Sequence, residues 1–163
     1  MSTPKIAANF QVPEDKELLA EFGRIGVLHS HLDYILKMTL RSLTGVSIEE
    51  IRLATNYEGS SSLRGRIKKI ARQRVGDGAV LIKLQALMER CKQVTAKRNA
   101  LVHGVYATER FGEPIMSGPD WSWIAQPTLK ELQALSVEIE RLTNEINDAR
   151  FRGYLADALK EKQ

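Results

Sequence analysis

Arg98, Asn99 and His103 set a permanent cation, an amide and a titratable imidazole within one short stretch. Ahead of them, Val80, Leu84, Leu87, Cys91 and Val94 recur in alternating steps of four and three, the period of one helix face. The next position in that series is Arg98, and Leu101 follows it. A guanidinium thus falls where the period calls for an apolar side chain. It keeps its proton in any protein setting, so it needs an anion there. That anion is either structural, with Asp33 of an earlier helix as the example, or a phosphate arriving as ligand. His103 follows Asn99 by four residues and shares its face, while Arg98 and His103, five apart, flank that face. Gly104 ends the helix, and the C-terminal end of a helix is electrically negative, which suits cations. Histidine is the usual proton carrier of metal-free chemistry.

The elements that must hold these residues are nearly all helical. Pro13, with Glu14 and Asp15 behind it, marks a helix start. Leu18, Phe22, Ile25, Leu32, Leu36 and Leu43 form its stripe, with His29 and Thr39 in the gaps and Gly45 as the stop. Ser47 and Glu50 make a capping box for a short helix through about residue 56. The serines after Gly59 open a third helix carrying Leu63, Ile67, Ile70 and Ala71, which ends near Val75. The motif helix runs from about Ala79 to His103. Residues 105–107 and 121–124 read as two short strands, with Gly112, Pro114, Gly118 and Pro119 in the bend between them. Thr128 and Glu131 cap a last helix with Leu132, Leu135, Ile139, Leu142, Ile146 and Ala149 on its stripe, bending near Gly153 and continuing to the tail. The expected fold is therefore all-α, an up-and-down helical bundle with a small β-hairpin before the last long helix. Residues 1–12 read as a flexible N-terminal arm and 13–163 as a single domain.

Bulk composition supports this reading. The 163 residues are 43% hydrophobic, 27% charged and only 6% aromatic, a mix that suits a core of aliphatic side chains. The single cysteine, Cys91, permits no intrachain disulfide and no thiolate zinc site, and it suits a reducing compartment. No stretch approaches the roughly 20 apolar residues of a membrane span, and residues 1–12 lack the apolar run of a secretory signal. The expectation is a cytoplasmic protein without membrane contact. The net charge of +4 is compatible with a nucleic-acid partner without diagnosing one.

The run Arg98-Asn99-Ala100-Leu101-Val102-His103 resembles the R-polar-x-x-x-H motif of HEPN-domain ribonucleases. The following Gly104-Val105-Tyr106 is similar to what several prokaryotic members carry after the histidine. The likeness spans residues 14–150, with the long first helix, the motif near the end of a later helix and the long last helix; the six-residue motif is its specific part. The resemblance implies a metal-independent endoribonuclease that needs no cofactor and works as a homodimer, with two motifs facing across one cleft. His103 would handle the proton of an RNA 2′-hydroxyl or of the leaving oxygen. Arg98 would hold the phosphate as its charge grows, and Asn99 would orient Arg98, His103 or the phosphate. The product would be a 2′,3′-cyclic phosphate or a related end. The same resemblance sets the first long helix beside the motif helix, which would make Asp33 the counter-ion of Arg98. A toxin or anti-phage effector is the setting it brings, with an antitoxin or regulatory protein as a further partner. A module of the same shape that binds RNA, a nucleotide or a protein without cutting is the alternative.

Other signals have plainer readings. Arg64, Arg66, Lys68, Lys69, Arg72 and Arg74 follow one another with no acid between them. They either track a phosphate backbone or form a solvated exterior. His29, on an apolar stripe, reads as a hydrogen-bonded core histidine. A zinc site from His29, His31 and His103 matches no familiar ligand spacing. Trp121 and Trp123 alternate on a presumed strand, so both should face one way; covering the end of the bundle is the favoured reading, and if exposed they could stack bases or a partner's side chains. Cys91 reads as inert packing.

Overall fold

The computed structural model describes residues 8–109 and 112–161. The helices are α1 (Lys16–Thr44), α2 (Ile48–Thr55), α3 (Ser60–Val75), α4 (Ala79–His103), α5 (Leu129–Phe151) and α6 (Tyr154–Lys160). The strands are β1 (Ala8–Phe10), β2 (Tyr106–Glu109), β3 (Pro114–Ser117) and β4 (Trp123–Ala125). The chain is predominantly helical with one small antiparallel sheet, as its periodicity predicts. Among the described residues, no helix is long and apolar enough to cross a membrane.

Local chemistry sets the helix ends. The Asp15 carboxylate accepts from the amides of Glu17 and Leu18 at 2.9 and 3.2 Å, so α1 begins after Asp15 and Pro13 stands outside it. Gly45 stops α1 in the left-handed region, at φ 73°, and donates its amide to the Arg41 carbonyl at 2.8 Å. Both expected capping boxes form, Ser47 with Glu50 and Thr128 with Glu131. The bend expected near Gly153 is a full break between α5 and α6. There the chain folds back so closely that a Cβ on Gly153 would lie 3.0 Å from the Asp148 carbonyl oxygen.

The core lies between α1, α3, α4 and α5, with α6 closing one end. Every stripe residue named for α5 is buried, and on α1 the buried face widens after Ile35 to take in Met38 and Leu40. His29 on α1 meets Thr95 on α4, and the Phe22 ring packs edge-on at 5.5 Å against Tyr106, just past the end of α4. Earlier α1 residues thus meet later α4 residues, and the two helices run antiparallel. The Glu21 carboxylate accepts from Ser136, while Arg150 lies in the field of Tyr34 and Arg41, so α1 and α5 run parallel.

The sheet departs from the two-strand hairpin expected. It has strand order β1-β2-β3-β4, every pair antiparallel. Residues 8–10, expected in a loose arm, form β1 and pair through Phe10 with Ala107; residues 1–7 lie outside the described residues. The stretch expected as a bend contains β3, whose Ile115, Met116 and Ser117 are buried. Glycine and proline concentrate around that strand, which is why it reads as a loop in sequence. Pro114 opens the strand, where the missing amide costs least.

Removing the α5 cap with Thr128→Ala should lower stability by about 0.5–2 kcal/mol, read as a lower urea midpoint at an unchanged slope. An unchanged midpoint would show that the box does not hold the start of α5.

Candidate functional site

The last two turns of α4 carry the motif. Arg98 holds the stripe position that the period assigns it, between buried Val94 and Leu101, but its side chain is only half-buried. Its Nη1 donates to the Asn99 Oδ1 at 2.9 Å, and its Nε is out of water with no partner. Among the described residues no carboxylate approaches it within ion-pair distance. Asp33, the counter-ion that the family likeness implies, is engaged elsewhere: its Oδ2 lies 3.4 Å from the His29 Nδ1, and its Oδ1 accepts from Ser60. Asp33 and Arg98 feel each other only as charges through space. The guanidinium therefore rests against a neutral amide and keeps its charge available.

Asn99 and His103 face one open cleft of about 390 Å³. Ala96, Ala100 and Gly104 line it from the helix and its end, and Ser117, Pro119 and Trp121 line it from the sheet and its turn. Arg98 is not on the cleft surface; it reaches that surface through its bond to Asn99. Gly104 shows why the helix must end in glycine. Its φ is an ordinary −67°, but a Cβ there would sit 2.8 Å from the Ala100 carbonyl oxygen and 2.5 Å from the Met116 Cε. The carbonyl of the helix's own last turn makes the requirement, since the Met116 methyl ends a flexible side chain and can move aside. The Val105 amide donates to the Ser117 hydroxyl at 2.9 Å, and the Tyr106 hydroxyl donates to the Leu101 carbonyl at 2.9 Å. The second bond satisfies one of the orphan carbonyls of α4. Burial pushes the Tyr106 phenol up to about 12, so it stays a donor across the physiological range.

The tryptophans do not share a strand face. Trp123 lies on β4 and pairs with Ser117. Trp121 precedes β4, in a turn closed by the Gly118 amide on the Ser122 carbonyl at 2.7 Å. Its φ is 65°, and its side chain is 83% exposed, so it covers no core. Sequence reasoning favoured cover of the bundle end over an exposed stacking role for Trp121, and it missed the residue's place beside His103. The available signal was the Gly118-Pro119-Asp120 run, a turn sequence running up to the indole.

The basic face of α3 is divided. Arg66 pairs with Glu58, and Arg72 lies 3.0 Å from the Asp77 carboxylate. Lys68 and Lys69 are exposed, with no ion pair among the described residues. Arg64 packs near Cys91, and its Nη1 is buried without a partner. Cys91 is two helical turns, about 10 Å, from Arg98 along α4. The tight turn after Val75 makes α3 antiparallel to α4, so Lys68, Lys69 and Arg72 lie still farther from the cleft. The structure therefore does not bring the basic run and the motif into one groove.

The remaining expectations concern buried groups. His29 is 3% exposed and hydrogen-bonded to Thr95 at 3.1 Å, a core histidine as its position predicts. Burial raises the Cys91 thiol to about 12, and the cysteine is packed and free. Among the described residues no cluster of three or more His, Cys, Asp or Glu could hold a metal ion. Comparison with known families, characterised proteins and solved structures finds no match to this chain.

Asp33 gives the site a signature in acid. Burial alone would raise its carboxyl, but hydrogen bonds from His29 and Ser60 and the charges of His29 and Arg98 outweigh it and hold the carboxyl below its ordinary value. A depressed folded-state value contributes stability above the unfolded value, about pH 3.9, and that contribution disappears as pH falls through the folded value. Asp33→Asn should therefore lower the melting temperature at neutral pH, with the gap to the parent closing as the medium is acidified below pH 3.9. A gap that stays constant across this window would show that Asp33 ionisation is not coupled to folding.

Proposed function

We propose that this protein is a metal-independent endoribonuclease of the HEPN type, acting as a homodimer. One observation carries the reading: Asn99 and His103 share an open cleft, and Arg98, bound to Asn99, has no carboxylate partner among the described residues. A core-stripe guanidinium without an anion leaves a charge to be met from outside.

The chemistry divides among three side chains. His103, exposed at the cleft, takes the proton from an RNA 2′-hydroxyl. The 2′-oxygen then attacks the adjacent phosphorus, the bond to the 5′-oxygen breaks, and that oxygen leaves with a proton. The products are a 2′,3′-cyclic phosphate and a free 5′-hydroxyl. Arg98 offsets the charge that gathers on the phosphoryl oxygens. Asn99 accepts from Arg98 through its Oδ1, which leaves its amide nitrogen as a donor towards the cleft. Two protons move in this reaction, and the cleft of one chain holds one imidazole. The homodimer belongs to the HEPN reading, in which a second copy facing the first would supply the other. The cell setting proposed with this activity is a toxin or anti-phage effector, held in check by an antitoxin or other regulatory protein.

A second reading, binding of RNA without cleavage, is favoured by one observation. Arg98 stands behind Asn99 and not on the cleft wall, so a phosphate in the cleft meets the amide first.

The two readings separate in one assay, with purified protein, mixed RNA and excess EDTA. Cleavage should proceed, and His103→Ala should slow it by at least a hundredfold, the usual worth of a positioned acid or base, with the circular dichroism spectrum and oligomeric state unchanged. Equal cleavage by that variant would reject the assignment, and binding without cleavage by the parent would select the second reading.

A further inference from the structure

Among the described residues, Trp121 is the sole non-glycine with a positive φ. Its value of 65° is a conformation that bulky L side chains rarely adopt. Three bonds hold it there. The Gly118 amide donates to the Ser122 carbonyl at 2.7 Å, the Trp121 amide donates to the Gly118 carbonyl at 3.1 Å, and Asp120 Oδ1 accepts from the Ser122 amide at 3.1 Å. The strained backbone gains no packing in return, because the indole is 83% exposed. A large apolar side chain left in water on a strained turn marks a contact made with something outside the chain.

What it would contact follows from its neighbours. Trp121 lines the same cleft as Asn99 and His103. None of the cleft-lining side chains is acidic, and most are apolar, so the cleft admits an anionic group with a flat hydrophobic part. At about 390 Å³ it has room for a single small-molecule-sized unit. We infer that Trp121 is a stacking platform for one unpaired base, so that the substrate of this site is single-stranded RNA. The inference rests on the nucleic-acid reading of the same cleft. A base in an A-form duplex is covered on both faces and cannot offer one to an indole, whereas a base in a loop or single strand can be splayed out and stacked. Stacking is indifferent to base identity, so Trp121 selects strand state and not sequence. Held there, the base would set its phosphate beside Asn99 and His103.

The test uses the chain's two tryptophans. In a Trp123→Phe background, indole fluorescence reports Trp121 alone. The probe is a short mixed-sequence RNA with 2′-O-methyl groups, which removes the nucleophile and prevents cleavage while leaving the cleft unaltered. It is used single-stranded and annealed to its complement. The single strand should quench the fluorescence, and the duplex at the same concentration should not. Adding Trp121→Ala should weaken single-strand binding, followed by labelled RNA, by about five- to a hundredfold, the loss of one stacked base, and Trp121→Phe should keep most of it. Trp121→Gly should lose the same affinity while its melting temperature holds or rises, because glycine accepts φ 65° freely and no burial is lost. Binding of single-stranded RNA that ignores Trp121→Ala and Trp121→Gly, or equal quenching by the duplex, overturns this inference alone. A parent protein that binds neither form overturns the nucleic-acid reading and this one with it.

Discussion

A guanidinium cannot shed its proton, and α4 carries one in line with the side chains that build the core. Had Arg98 been apolar, the stripe from Leu84 to Leu101 would be an ordinary packed seam. With Arg98 in place, the last two turns of the helix cannot close completely against their neighbours. The side chain leans to its neighbour Asn99 and takes a neutral partner, while its Nε goes without one. Burying a charge next to an amide alone is unfavourable unless an anion completes the arrangement. The half-exposed position of Arg98 is the compromise that the fold reaches without that anion.

The opening at the end of α4 depends on how tightly the sheet is drawn onto it. At Gly104 the chain leaves α4 with no Cβ to press on the Ala100 carbonyl oxygen or on the Met116 methyl of β3, and Tyr106 ties the last turn down through the Leu101 carbonyl. Those contacts hold the sheet beside the helix end, so that Ser117, Pro119 and Trp121 line one cleft with Asn99 and His103. The side chains available for chemistry belong to the helix. The shape they work in belongs to the sheet.

A second polar column runs behind the site. His29 bridges Thr95 on α4 and Asp33 on its own helix, and Asp33 continues to Ser60 at the start of α3. This column ties three helices together, and because Asp33 is already engaged there it does not neutralise Arg98. At the opposite end of the molecule, parallel packing sets the C-terminal ends of α1 and α5 side by side, and each carries an arginine in its last turn. Burial lowers the Arg150 guanidinium, and Arg41 lowers it further by repulsion, with Tyr34 acting the other way. The two cations there face two negative helix ends, a setting in which they serve the fold.

The helices, their caps and the apolar stripes were legible from residue order because they rest on local bonds and on a period of 3.6 residues. So was the misfit of Arg98, which is a break in that period, and so was the shared face of Asn99 and His103. Other features were decided only in three dimensions. β3 hides among glycine and proline because a short strand in a small sheet is made by its partners and not by its own pattern. His29 and Asp33 stand four apart on one helix, a spacing the sequence shows, but the Ser60 partner depends on which helix passes beside Asp33, and spacing along the chain does not contain that distance. The apparent basic run of α3 dissolves into paired and unpaired members once Glu58 and Asp77 are located. Trp121 reads as half of an alternating strand until the hydrogen bonds of its turn give it a positive φ and point the indole into water beside His103. Residue types and periods determine which side chains are available for chemistry; long-range packing determines which of them meet.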